Sequence, residues 1–202
     1  PYWRDLCCNG QEEMLKYRDP KNTWIISISK SCTKDFYRFF PDLYPKFKRI
    51  DILHPSELNE NEYKKNFNNE KPVILGNWNH IKKGKHLIQT LEKILPDFEF
   101  RQLSVMPLKN ETLTDFNIRK QKAYLESDMY LQISNSEGYS YATNDSLING
   151  LVTIATNVGG FEGDVPQNAY VELEWEKCYG ENIDYDYLSN KIRYAWNNRE
   201  VI

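Results

Sequence analysis

Ser136–Gly160 reads SEGYSYATNDSLINGLVTIATNVGG, and its order of residues decides the fold class. Glu137 stands before Gly138, a second acid, Asp145, follows eight positions later, and Gly150 introduces an apolar, β-branched run that ends ahead of Gly159 and Gly160. YATNDSLIN is expected to form a short helix closed by Gly150, because glycine tolerates the left-handed conformation that ends helices. LVTIAT is short, continuous and β-branched, and is expected to be a buried strand. With MYLQIS in front, the stretch spells strand, glycine-bearing loop, helix and strand, which is one unit of a parallel sheet.

The same alternation runs outward in both directions. Upstream, KPVILGNWN supplies an apolar strand, Pro72–Leu75, closed by Gly76, and KGKHLIQTLEKIL places Leu87, Ile88, Leu91, Ile94 and Leu95 on one helical stripe. FEFRQLSV then reads as a strand and LTDFNIRKQKAYLESD as a helix; downstream, AYVEL reads as a strand and IDYDYLSNKIRYAWNN as a closing helix. The expected fold is α/β, a Rossmann-like, mainly parallel sheet with helices on both faces, over residues 71–202. Ahead of it, TWIISISKSCTKDFYRFF offers a strand, Trp24–Ile28, and a helix, Thr33–Phe40, and Lys48–Leu53 offers another strand, so residues 1–57 form a strand–helix–strand segment. SELNENEYKKNFNNE has no apolar periodicity, and residues 58–70 read as a linker.

Composition narrows the function. A chain of 202 residues that is 40% hydrophobic buries a core of its own. A net charge of -3 gives no electrostatic reason to bind nucleic acid. No apolar run approaches the roughly 18 residues of a membrane span, and PYWRDLCCNG lacks the layout of a signal peptide, so a cytoplasmic location is expected. Cys7, Cys8, Cys32 and Cys178 form no CxxC pair, and neither a disulfide nor a metal site is expected.

In a parallel sheet, ligands sit at the carboxyl ends of strands, so the loops after Leu75, Ile133 and Thr156 carry the chemistry. The first, GNWNHIKKGKH, gathers Lys82, Lys83, Lys85 and His86 around Gly84 at a helix start, where free backbone N–H groups and a partial positive charge already favour an anion. In the second, Gly138 permits close approach of the backbone, and the N–H groups of Tyr139, Ser140 and Tyr141 open another helix. Two such starts around one cleft suit a diphosphate. Glu137 and Asp145 then need a reason to be there, and a sugar nucleotide supplies one: it carries hydroxyls on both sides of its diphosphate, and a carboxylate accepts from diols.

From Lys71 to about Asn197 the sequence resembles the donor-binding domain of GT-B glycosyltransferases of the glycogen synthase-like, group 1 kind. The opening stretch carries the resemblance: an acid, a Gly, an aromatic, a second acid after seven intervening residues, a Gly, and a Val/Ile-rich strand leading to Thr and Gly-Gly. The resemblance implies that Glu137 contacts the donor sugar, Asp145 the ribose, and Lys83 or Lys82 the diphosphate, with Gly159 and Gly160 beside the sugar. It also implies a nucleoside-diphosphate sugar as co-substrate, a glycan or lipid-linked acceptor, and residues 1–57 as the end of an acceptor domain, in either a fragment of a larger polypeptide or a pared-down enzyme. Two residues depart from the pattern, since Asp145 stands where Glu is usual and Asn77 where an Arg usually follows the phosphate-loop Gly. One strand–helix unit is also wanting between Phe98 and Met129.

The expected activity is therefore metal-independent sugar transfer, with Lys83 and the helix starts stabilising the departing diphosphate and Glu137 at the sugar. A general base is not assigned; His54 and His80 are the candidates. The alternative is a non-catalytic module, derived from a glycosyltransferase, that binds a sugar nucleotide or glycan. A dinucleotide oxidoreductase is disfavoured because no GxGxxG follows any strand.

Overall fold

The computed structural model describes residues 12–52, 67–161, 165–179 and 181–201. Trp24–Ser27 (β1) and Lys48–Asp51 (β2) pair in parallel across the helix Lys30–Phe39 (α1). That helix begins three residues earlier than expected, because the Ser29 side chain accepts from Cys32 N and caps it. Val73–Gly76 (β3), Glu99–Gln102 (β4), Met129–Gln132 (β5), Val152–Thr156 (β6) and Val171–Leu173 (β7) form one sheet, parallel throughout, in the order β4-β3-β5-β6-β7. The helices that link and flank them are Lys85–Ile94 (α2), Leu113–Leu125 (α3), Tyr141–Ile148 (α4), Trp175–Tyr179 (α5) and Tyr185–Asn197 (α6).

Strand periodicity separates the two faces. Ile74, Met129, Leu131, Val152 and Ile154 pack against Leu87, Ile88 and Leu91 of α2 and Leu188, Ile192 and Ala195 of α6. Their neighbours Leu75 and Tyr130 turn the other way, into a second cluster with Leu103, Leu151 and Tyr124 of α3. Burying each large aliphatic side chain contributes about 1.5–3 kcal/mol, and all of β3, β5 and β6 is buried, so the central strands anchor the fold. Asp128, fully buried ahead of β5, accepts from Val73 N at 2.8 Å and Asn69 Nδ2 at 2.7 Å, tying the start of β3 to the start of β5.

The strand order positions the ligand crevice. From β3 the chain moves outward to β4, then α3 carries it back across β3 to β5 on the other side. The loop after β3 feeds α2 on one face of the sheet, and the loop after β5 feeds α4, whose Ala142 packs on the other. Two loops that part from adjacent strands toward opposite faces leave an opening at the sheet's carboxyl edge. No strand intervenes between β4 and α3 among the described residues, as the short spacing between Phe98 and Met129 implies.

Most of the linker, residues 58–66, lies outside the described residues, as do Cys7, Cys8 and His54. Residues 67–70 hold no regular structure, and Phe67 packs edge-on against Trp196 of α6 at 5.7 Å. Helix α5 was not expected, since five residues are too few to show a periodicity. Among the described residues no helix is long and apolar enough to cross a membrane.

Candidate functional site

A cavity of about 370 Å³ opens at the carboxyl edge between β3 and β5, lined by Asn77, Lys83, Gln132, Ser134, Glu137 and the 138–142 turn. That volume is in the range of small-ligand sites. Its walls are cross-braced. Trp78 Nε1 donates to Leu131 O at 3.0 Å, Asn135 N donates to Lys82 O at 2.8 Å, and Tyr179 OH donates to both Lys82 O and Ile133 O. Thr156, at the end of β6, closes the set: its hydroxyl accepts from Ser134 N at 3.1 Å and donates to Ser134 O at 2.8 Å. Burial pushes the phenols of Tyr179 and Tyr130 well above the usual tyrosine range, so both remain neutral hydrogen-bonding groups.

Lys83 ends a 3-10 turn, Ile81–Lys83, capped by His80, whose Nδ1 accepts from Lys82 N at 3.2 Å. His80 is therefore a turn-capping residue. Gly84 follows at φ 80, and a Cβ there would lie 2.8 Å from Ile133 O, so only glycine lets this turn rest on the neighbouring strand. The turn delivers Lys83 to Glu137: Lys83 Nζ donates to Glu137 Oε1, which also accepts from Ser134 Oγ at 2.8 Å. The Glu137 side chain is 11% exposed and that of Lys83 29%, so the ion pair sits within the cavity wall.

The Gly138 carbonyl meets the start of α1, where the capping Ser29 Oγ donates to it at 2.9 Å. Ile28 beside this contact lines the cavity, so the first segment closes one side of it. Tyr139, Ser140 and Tyr141 all line the cavity, and Ser140, at φ 76, turns the chain into α4 without a side-chain cap bond. Gly159, at φ 64, packs on Glu137; a Cβ there would come within 2.8 Å of Glu137 Cβ. Gly160 follows it in the 3-10 turn Gly159–Phe161.

Four of the expected residues stand apart from the lining: Gly159 and Gly160, in the turn after β6, and Lys82 and Asp145. The main chain of Lys82 braces the loops, as described, while its neighbour Lys83 carries the amine into the cavity. Asp145 lies one turn beyond the lining residues Tyr141 and Ala142 on the same side of α4, and its carboxylate accepts from Lys120 Nζ of α3 at 3.0 Å. Sequence reasoning missed Ser134, Gln132, Tyr130 and the bracing Tyr179. Ser134 was legible as a strand-end hydroxyl three residues before an acid; Tyr179 was not, since its contacts run across the fold to residues 46 and 97 positions away.

This architecture matches solved structures. Sucrose-phosphate synthase from Thermosynechococcus elongatus superposes with a TM-score of 0.62 at 12% identity, over 88% of this chain and 50% of its own. TarM gives 0.62 at 15% identity over 96% of this chain and 40% of its own. The pneumococcal O-GlcNAc transferase GtfA, solved with UDP and GlcNAc, gives 0.58 at 17% identity over 88% and 39%. The fold is that of the GT-B glycosyltransferases. The chain spans half or less of the length of these three proteins. No family model and no curated protein matches the sequence. At these identities the likeness is one of GT-B architecture, which hosts many donors and acceptors, so the chemistry has to be argued from the cavity.

Proposed function

We propose that this chain is the donor-binding part of a nucleotide-sugar-dependent glycosyltransferase, acting on a glycan or lipid-linked acceptor. The observation that carries the reading is the Lys83–Glu137–Ser134 cluster at the strand-order switch point, beside the uncapped start of α4 and within a GT-B fold. A cation and a helix start suit the diphosphate, and a carboxylate suits the hydroxyls of the sugar joined to it. As the bond from sugar to diphosphate breaks, negative charge grows on the departing phosphate, and Lys83 with the helix starts offsets it without a metal ion. Glu137 holds the sugar at that moment, and Gly159 and Gly160 lie beside it. Asp145 meets the ribose from the next turn of α4.

The ion pair gives these roles a physical link. With no ligand, Glu137 keeps Lys83 inside the cavity at low desolvation cost; with a diphosphate bound, Lys83 shares its three donors between the two anions. Lys83→Ala should weaken nucleoside diphosphate binding by about 1.5–3 kcal/mol, the worth of a charge-assisted hydrogen bond. Calorimetry with UDP, ADP and GDP on parent and variant checks this, alongside release of nucleoside diphosphate from the matching sugar nucleotides. Binding by the parent without any release or transfer would favour the non-catalytic module. Absence of binding to all three diphosphates would remove the nucleotide reading altogether.

A further inference from the structure

Gln132 ends β5 and is 5% exposed, yet its side-chain nitrogen has no hydrogen-bond partner. Its oxygen is held. Thr143 Oγ1 donates to Gln132 Oε1 at 2.9 Å, and the same hydroxyl lies 2.6 Å from Ser140 Oγ. The amide is thus fixed to the first turn of α4 by its acceptor end, which leaves its NH₂ group unmet on a residue that lines the cavity. Buried donors are nearly always satisfied, so one held in place and unmet marks a position that something else fills.

The surroundings decide what fills it. Helix α4 starts without a side-chain cap at Ser140, so its start carries the partial positive charge of a helix N-terminus. Asn77 lies two residues past Leu75 on β3, as Gln132 lies two past Tyr130 on β5, and Leu75 and Tyr130 are register partners. The two amides therefore share one face of the sheet at neighbouring strand ends, and both line the cavity. Asn77 Oδ1 is likewise unpartnered, and a half-turn of that amide presents its NH₂ instead. The carboxylate in the lining, Glu137, is neutralised by Lys83. A helix start and two neutral amides border a space whose acid is already paired, and that is the composition of an anion site.

We infer that Gln132 is a phosphate-binding residue, its amide donating to a non-bridging oxygen of the diphosphate at the first turn of α4. This rests on the donor-binding reading and adds to it: the diphosphate is held from below by neutral amides as well as by Lys83. Calorimetry with UDP, ADP, GDP and pyrophosphate on the whole chain identifies the tightest ligand. Gln132→Met, which keeps the length and removes the donor, should bind that ligand about tenfold more weakly with an unchanged melting temperature. Gln132→Glu, which keeps the Thr143 contact and adds negative charge, should lose more. A change below twofold in Gln132→Met, or a Gln132→Glu that binds as well as the parent, overturns the assignment. A measurement on the parent protein is independent of how the variants fold: the Gln132 side-chain ¹⁵N–H₂ resonances should shift on saturation with the ligand, and unmoved resonances overturn the assignment too. Pyrophosphate binding as tightly as every nucleotide would instead defeat the nucleotide reading, while leaving Gln132 to be judged by its own variants.

Discussion

At the scale of single residues, the pairing of Lys83 with Glu137 changes what a substitution at either reports. Glu137→Gln removes the anion that competes with a diphosphate for Lys83, while keeping the side-chain shape and the Ser134 contact. Affinity for the bare nucleoside diphosphate should therefore rise by roughly two- to tenfold, since a like charge is removed from a partly buried wall. Transfer from the intact sugar nucleotide should fall by about one to three orders of magnitude, because the sugar loses its charged acceptor. Calorimetry with the diphosphate and initial rates with the donor separate the two effects. Equal losses in both would make Glu137 a structural partner of Lys83 and nothing more.

At the scale of elements, two contacts between secondary structures bear on the cavity. Helix α1 docks on the Gly138 loop through Ser29, which both caps the helix and donates to Gly138 O. Ser29→Ala removes both bonds from a residue that is 4% exposed, and should destabilise the fold by about 1–2 kcal/mol, at the upper end for lost caps. Denaturant melts check the stability, and nucleotide affinity should fall along with it as the Gly138 loop loosens. Helices α3 and α4 are joined by Lys120 and Asp145, whose side chains are each 30% exposed. A pair this open adds little stability, so Asp145→Asn should shift it by under about 1 kcal/mol. Its effect should appear in binding instead. If Asp145 meets the ribose, the Asn variant should bind the ribonucleotide at least about threefold more weakly and lose preference over the 2'-deoxy form, because an amide is the weaker diol acceptor. An unchanged preference in competition calorimetry would confine Asp145 to bridging the helices.

At the scale of the whole molecule, acid should unfold the chain through a few carboxylates at element junctions. Arg193 of α6 bonds to Asp97 and holds its carboxyl below the usual range. Arg119 and Leu108 N lower Glu111 to about 2, and Tyr187 N with Lys177 lower Asp184. A depressed carboxylate stabilises the fold above its unfolded value and loses that contribution as pH falls through its folded value. Melting temperature should thus stay level from neutral pH down to about 5, then fall, with the Glu111 share lost between about 4.5 and 2. Glu111→Gln should flatten the last part of that profile, as measured by thermal melts across the range.

The strand–loop–helix order was legible because side-chain period reports backbone geometry directly: Leu87, Ile88 and Leu91 on one stripe, and the buried run of β6 after Gly150. The turn glycines were legible for a like reason, Gly84 and Gly159 each sitting where a Cβ would strike the opposite loop. Local sequence therefore determined the strands and the longer helices, the parallel sheet and the loops that could meet a ligand. Which side chains meet was decided by tertiary structure alone. The order β4-β3-β5 brings Lys83 to Glu137 across 54 residues of chain, and Tyr179 of the unforeseen α5 to the carbonyls of both loops. It also turned Asp145 toward Lys120 and left the Gln132 side-chain nitrogen without a partner. The physical reason is that backbone conformation is set by near neighbours along the chain, whereas hydrogen bonds and ion pairs are set by which strands lie side by side.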